Sequence, residues 1–377
     1  MLQKPLRVVQ VLGHLNRAGA ETMVMNLYRK IDRTRVQFDF VIHTPERCHY
    51  EDEVESLGGR IFRVSPYRGI NHLAYARQWR GFFEANREIP VMHSHVRSTA
   101  SIYFKIAREY GVKTIIHSHN TSSGRGVAAL AKNVLQRSIT DNADLLFACS
   151  RDAGRWLFGD QALRSDTFHV IKNAIDVSSF VYNPETRHRT RAALGLQDRT
   201  VFGHIGRFHP QKNHSGLVDI FGEILKRDPR ALLLLVGDGE LREQTEAKVR
   251  HQGLEESVRF LGSRPDIPDL LQAMDLFLMP SLFEGFPVTL VETQAAGLPC
   301  LIAANITPAI DFVPDLIHRR EIAHDPAQWA QQALEIVRGS SRRDTSAAMK
   351  ESGYDISENA DLLVQLYTEL ATTGGAG

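Results

Sequence analysis

The chain has 377 residues, with 45 Lys plus Arg against 44 Asp plus Glu and a net charge of +1. Residues 1–180 hold 25 basic and 17 acidic side chains, and residues 181–377 hold 20 and 27, so a half at +8 is joined to a half at −7. That asymmetry, and a length above the roughly 150 residues of one domain, point to two domains with different partners. A hydrophobic fraction of 43% and a charged fraction of 24% exclude a disordered chain. Apolar runs as short as Ala231–Val236 exclude a span of ~20 residues across a membrane. Cys48, Cys149 and Cys300 are odd in number and far apart, which suits reduced thiols and offers no zinc spacing. Met1–Arg7 has no apolar stretch behind it of the kind a signal peptide carries, so a cytoplasmic location is expected.

In chain order, Leu6–Leu12 reads as a buried strand. The loop Gly13–Gly19 follows, then a helix with Val24, Leu27, Tyr28 and Ile31 on one face. Further strands are predicted at Val36–Ile42, Ile89–His93, Lys113–His117, Asp144–Cys149 and Phe168–Ile171. Residues 181–198 are polar, contain Pro184 and are expected to form a linker between a domain at 1–180 and one at 199–354. The alternation restarts with strands at Thr200–Ile205, Ala231–Val236, Val258–Leu261, Leu276–Met279 and Pro299–Ala303. Helices are predicted at Ser215–Lys226, Glu240–His251, Val288–Ala296 and Pro326–Arg338. The fold class is therefore α/β, with two Rossmann-like domains whose ligands sit at strand carboxyl ends, facing a central cleft. A last helix, within residues 355–377, carries Leu362, Leu363, Leu366 and Leu370 at helical spacing and is expected to pack back across the domains.

Three loops carry chemistry in the second half. In EGFPVTLVE, Glu284 precedes the turn Gly285–Phe286–Pro287, and Val288 opens a helix bearing Glu292. Uncapped amides at a helix start favour an anion, and the two carboxylates could accept hydrogen bonds from sugar hydroxyls. The plain alternative is a surface glutamate beside a helix-terminal one. In GRFHPQKN, Arg207 and Lys212 lie five apart after a strand. Arg offers a planar fork to phosphate oxygens and Lys a point charge, or both are simply solvated. In VGDGELR, Gly237 permits a tight turn and close backbone approach to a ligand, which makes it a donor-binding candidate, but Arg242 stands where the dinucleotide fingerprint has its third glycine, which counts against a nicotinamide cofactor.

The first half offers Gly19 and Ala20, small residues at a helix start where a phosphate could approach. It also offers His93, His95, His117 and His119 at strand ends. Residues i and i+2 share a strand face, yet no carboxylate or thiolate cluster accompanies these histidines, so no metal is expected. His119 is the candidate hydrogen-bond partner or proton carrier, against an ordinary core histidine. Residues 125–140 have a basic amphipathic pattern, which fits a membrane interface or an apolar stripe packed on the sheet. No Asp-x-Asp pair occurs to hold a diphosphate through a cation.

With AGAE, HSHN, NADLLFACS, IKNAID and VGDGEL in the expected order beside GRFHPQKN and EGFPVTLVE, the chain resembles the retaining glycosyltransferases of family 4, of exopolysaccharide and capsule type. The resemblance covers almost the whole chain and implies the GT-B fold. It implies that Arg207 and Lys212 grip the donor diphosphate and that Glu292 binds the ribose. Glu284 with Gly285, Phe286, Pro287 and Val288 would hold the donor sugar, and Arg264, in the segment Gly262–Ile267, would line the base. His119 would lie at the transferred sugar, and Gly19 and Ala20 would close on the diphosphate. The family often has Gly-Gly where Ala18 and Gly19 stand, which weakens that last assignment. The implied reaction uses a nucleotide-diphosphate sugar, UDP-linked, as co-substrate. It needs neither cofactor nor metal, and its acceptor is a glycan growing on a lipid carrier. The basic N-terminal domain would touch an anionic membrane at its inner face, and no nucleic acid is involved. The competing expectations are a transferase acting on a small soluble acceptor, a nucleotide-sugar epimerase and a non-catalytic binding module.

Overall fold

The computed structural model describes residues 4–17, 19–119, 138–323 and 325–373. The chain divides into two compact units, residues 1–174 with 356–377, and residues 175–355. The first holds a seven-stranded sheet of β1 (Leu6–Leu12), β2 (Val36–Ile42), β3 (Ile61–Arg63), β4 (Val91–Ser94), β5 (Lys113–Ser118), β6 (Leu145–Ala148) and β7 (Phe168–Val170), in the order β3-β2-β1-β4-β5-β6-β7. The second holds β8 (Thr200–Ile205), β9 (Ala231–Val236), β10 (Val258–Gly262), β11 (Leu276–Met279), β12 (Cys300–Ala303) and β13 (Ile317–Arg320), in the order β10-β9-β8-β11-β12-β13. Every paired strand is parallel. Both are doubly wound sheets. In each, the chain reverses its direction of travel beside the first strand, and that switch point is where such sheets bind ligands.

Central strands favour continuously apolar sequence, because helices cover both faces. All six residues of β9, Ala-Leu-Leu-Leu-Leu-Val, are buried. In the first unit one face packs Val8, Phe38, Phe40, Val91 and Ile115 under the helices Gly19–Lys30 and Ile356–Thr372. The opposite face packs Val9, Val11, Met92 and Ile116 under Trp79, Phe83, Tyr103 and Phe104. The C-terminal helix buries Leu363, Val364, Leu366, Tyr367 and Leu370 within the first unit.

The expected linker at 181–198 is instead part of the second unit. Asn183 caps a helix, Pro184–Ala193, by accepting from the Thr186 N–H at 3.0 Å. Arg187 donates to the carbonyls of Gln272 and Met274, both at 2.9 Å, and Arg191 to that of Ala273 at 2.8 Å. Both guanidinium groups also reach Asp275. The segment looks polar because it docks through arginine forks rather than an apolar stripe. The first domain correspondingly ends at Ala174, not at residue 180, and regains the chain at Ile356. The units then carry 25 basic against 19 acidic side chains (+6) and 20 against 25 (−5). The charge asymmetry survives the new boundary.

Candidate functional site

In the second unit the loops leaving β8 and β9 are laced together by backbone. Gly206 N–H donates to the Val236 carbonyl at 2.9 Å, and Phe208 N–H to that of Asp238 at 3.0 Å. Gly237 sits at φ +134°, and a Cβ there would meet the Gly206 carbonyl oxygen at 2.2 Å. Gly237 is thus required by this close approach of two strand ends. Gly237→Ala is expected to lower the stability of the second unit by roughly 2–4 kcal/mol, read as a fall in chemical-denaturation midpoint. An unchanged midpoint would remove this explanation of the glycine.

The lacing fixes where Arg207 and Lys212 emerge. Arg207 is exposed, and no carboxylate among the described residues pairs with it. Lys212 closes a 3₁₀ turn, Pro210–Lys212, and Asn213 follows in the left-handed region at φ 53°. Asn213 accepts from the Gly216 N–H at 3.2 Å, starting the helix His214–Arg227, and its amide donates to the Pro280 carbonyl at 3.1 Å. That second bond ties the loop after β8 to the end of β11, its neighbour in the sheet. Across this join Lys212 Nζ meets Glu284 Oε1 at 2.7 Å, and Gln211 Nε2 donates to Glu284 Oε2 at 3.0 Å. Only 5% of the Glu284 side chain and 17% of the Lys212 side chain are exposed. Glu284 therefore aims the ammonium, which keeps further donors for a ligand.

Beyond Glu284, the helix Val288–Ala295 begins at Pro287 with no side-chain cap. Among the described residues, the N–H groups of Gly285, Phe286, Val288 and Thr289 have no acceptor. Open N–H donors at a helix start favour an anion. Phe286 is held by stacking on Tyr354, with centroids 5.5 Å apart and planes 8° apart. Glu292, on the same helix, is half-buried with no basic side chain paired to it among the described residues, and burial pushes its carboxyl up to about 8. Arg264 forms a two-point pair with Asp266 at 2.8 and 2.6 Å.

In the first unit the four strand-end histidines gather on one face. His119 Nε2 lies 2.8 Å from His95 Nδ1, and His95 Nε2 lies 2.9 Å from Gln10 Oε1. Gln10 Nε2 donates to Tyr367 Oη at 3.3 Å, which lies 2.6 Å from His93 Nδ1. With Gln10 oriented this way, His95 donates to Gln10 and His119 donates to His95. The Nδ1 of His119 is then left as an acceptor. His117 stacks on His119 with centroids 4.1 Å apart. Burial first, and the charge of Arg97 second, push His119 down to about 3. His93, His95 and His117 are also held well below the ordinary histidine range, chiefly by burial. Nuclear magnetic resonance is therefore expected to show none of these four rings titrating between pH 5 and 8. The unfolded chain binds protons at these positions below about 6.5, so the same burial makes the fold lose stability as pH falls below that value. A His119 midpoint near 6.5 would contradict this. His93, His95 and His117 place ring nitrogens within 4.8 Å of one another, the one group among the described residues with spacing that could admit an ion. Both His95 nitrogens are already engaged in the chain from Gln10 to His119.

Gln10 and Tyr367 were absent from the sequence-based candidates. The only local sign of Gln10 is an amide inside the apolar strand VVQVL, and Tyr367 lies 357 residues further on. Gly19 and Ala20 do open a helix, Gly19–Lys30, and a side chain at Gly19 would meet nothing within 4 Å. The basic amphipathic stretch at 125–140 falls, up to residue 137, outside the described residues.

Two doubly wound parallel sheets, one in each unit, are the architecture of the GT-B glycosyltransferase fold. Residues 18–174 match the glycosyl transferase 4-like domain, and residues 186–355 match the glycosyl transferases group 1 family. EpsF of Bacillus subtilis (strain 168), named as a glycosyltransferase, is 39% identical over 368 residues, covering 96% of each chain. The chain belongs to the family-4 glycosyltransferases. An Escherichia coli enzyme, UDP-Gal:alpha-D-GlcNAc-diphosphoundecaprenol alpha-1,3-galactosyltransferase, is 28% identical over 223 residues, 56% of this chain and 57% of its own. The solved structure of Anabaena HepE in complex with UDP has the same fold, with a TM-score of 0.74 at 19% identity over 97% of this chain and 100% of that one.

Proposed function

We propose that the chain moves a sugar from a UDP-linked donor to a hydroxyl of a growing, lipid-linked cell-surface polysaccharide, retaining the anomeric configuration and using no metal. The observation that carries this reading is the Lys212–Glu284 pair set against the open amides of Gly285–Thr289. Lys212, Arg207 and those amides would neutralise the diphosphate as it departs, a task that transferases with an Asp-x-Asp pair give to a cation. Glu284 would hold the donor sugar and position Lys212, and Glu292 would meet the ribose hydroxyls. His119 is assigned to the transferred sugar, with Nδ1 as its free acceptor. The departing phosphate oxygen would take the acceptor hydroxyl proton. The donor carbon–oxygen bond breaks as the new one forms on the same face, and UDP leaves. No enzyme nucleophile is needed, so catalysis rests on positioning and charge.

The choice of donor is supported by HepE, whose structures are titled as complexes with UDP, UDP and glucose, and UDP-glucose. The lipid carrier is supported by the E. coli relative, whose name includes diphosphoundecaprenol. No helix among the described residues is long and apolar enough to cross a membrane. Contact with the inner face of the cytoplasmic membrane would therefore be peripheral, through the basic first unit. A second reading, transfer to a small soluble acceptor, is favoured by relatives named D-inositol 3-phosphate glycosyltransferase, 24% identical over 367 residues in one case. A thermal-shift panel of nucleotide-diphosphate sugars tests the donor. At 100 times Kd the donor adds about 2.7 kcal/mol to the stability of the native state, and only UDP-sugars are expected to do so. A panel in which none raises the midpoint would overturn the reading.

A further inference from the structure

A line of polar side chains crosses the apolar core of the first unit and ends at His119. Tyr367, Gln10 and His93 are buried, whereas His95 and His119 are half-buried at the strand ends. An amide inside the apolar strand VVQVL costs free energy unless its hydrogen bonds are made. The fold makes them. β1 and β4 pair in the register that sets Gln10 beside His93, and the helix Ile356–Thr372 brings Tyr367 within reach of both. His95, just past β4, is held against β1 by its own N–H, which donates to the Val11 carbonyl at 2.9 Å.

Two polarities satisfy such a chain, because a hydroxyl has one proton and a neutral imidazole has one donor and one acceptor nitrogen. Burial keeps the His93, His95 and His119 rings neutral. In the polarity that the structure shows, Gln10 Nε2 donates to Tyr367 Oη, and that hydroxyl donates to His93 Nδ1. On the other side, His95 Nε2 donates to Gln10 Oε1 and His119 Nε2 donates to His95 Nδ1. Turning the Gln10 amide over would reverse all four bonds and make His119 Nδ1 a donor. An imidazole changes polarity by tautomerism and a hydroxyl by rotation. The amide keeps its donor and acceptor on different atoms, so it sets the direction for the rest. The two ends of the line, His119 Nδ1 and His93 Nε2, have no partner among the described residues.

We infer that Gln10 and Tyr367 are positioning residues that hold the His119 proton on Nε2, so that Nδ1 accepts a hydrogen bond from a hydroxyl of the transferred sugar. This rests on the assignment of His119 to that sugar, and it names the group the sugar must offer there. A lone acceptor takes a hydroxyl and rejects a carboxylate or a ring oxygen, neither of which can donate, because the buried lone pair is then left unpaired. The C-terminal helix thereby acts on sugar recognition through Tyr367, without touching the sugar.

The test is nitrogen nuclear magnetic resonance of the full chain labelled at its histidine rings, which distinguishes a proton on Nδ1 from one on Nε2. Wild-type His95 and His119 are expected to carry it on Nε2, and the His119 Nδ1 signal should move on adding a UDP-sugar but not on adding UDP. Gln10→Met and Tyr367→Phe keep the side-chain volume and break the line. In each, His119 should become a mixture of tautomers. Affinity for the UDP-sugar should fall about three- to tenfold, the loss of one hydrogen bond, with the affinity for UDP unchanged. A purely structural role would lower the thermal midpoint without changing the ratio of the two affinities. A wild-type His119 with its proton on Nδ1, or variants that keep both the tautomer and that ratio, would overturn the inference and leave a UDP-sugar transferase standing. If the wild type binds neither UDP nor any UDP-sugar, the donor reading fails and the inference falls with it. Should a variant not fold, the wild-type tautomer and its response to the UDP-sugar decide alone.

Discussion

Lys212→Ala is expected to lower turnover by on the order of 10²–10³, the cost of removing one preorganised donor from a site of developing negative charge. The same change strips the mostly buried Glu284 of its cation, leaving Gln211 as its one side-chain hydrogen-bond partner among the described residues. Stability should therefore fall as well, by roughly 1–3 kcal/mol. The two effects can be separated. Lys212→Ala combined with Glu284→Gln removes the stranded carboxylate, so it should recover much of the lost stability and none of the activity. A double variant that regains turnover would show that Lys212 acts only by holding the loop. The single change Glu284→Gln keeps an acceptor and a similar shape. It should leave the fold nearly intact while loosening the ammonium, and so lower activity less than Lys212→Ala does.

Glu292→Gln is expected to stabilise the ligand-free protein at high pH and to have little effect at low pH. The sign follows from burial. The carboxyl titrates at about 8 in the folded chain against 4.5 for the ordinary side chain. Between those values the folded state keeps a proton that the unfolded state has released, so folding loses stability as pH rises through that window and stays penalised above it. Replacing the acid with an amide removes the penalty. The gain at pH 9 should be on the order of 1–4 kcal/mol, shrinking towards zero by pH 5, because the side chain is only partly buried. Denaturation midpoints of the two proteins across this range check it, and parallel curves would mean that Glu292 is ionised normally. An acid kept uncompensated in the fold is explained if ribose hydroxyls become its partners on binding. Donor affinity of the variant should then drop even where its stability rises, a trade common at functional sites.

The strands β9 and β11 were legible to the residue, because parallel strands covered on both faces favour continuously apolar runs and these are such runs. The edge strands β3 and β13 were not, since Ile-Phe-Arg and Ile-His-Arg-Arg are short and half polar. The helix Pro184–Ala193 was mistaken for a linker because its packing face is made of arginines whose partners, the carbonyls near residue 273, lie over 80 residues away. Residue types singled out Lys212 and Glu284. They did not show that Lys212 and Glu284 hold each other, because that contact spans 72 positions and depends on Asn213 tying one strand end to the next. Gly237 was legible as a turn glycine, whereas its close approach to Gly206 was not. The chain from Tyr367 through Gln10 to His119 was illegible, since it exists only when the C-terminal helix lies on the sheet.

Transfer of a sugar from UDP is proposed to depend on the lysine–glutamate pair. The most direct measurement is the fate of a UDP-sugar labelled in its sugar, incubated with wild-type protein and a lipid-diphosphate-linked acceptor, with Lys212→Ala run in parallel. Labelled acceptor and released UDP are expected with the wild type, the anomeric configuration of the donor kept in the product, and almost no product with the variant. Equal transfer by the two proteins, or an inverted product, would contradict it.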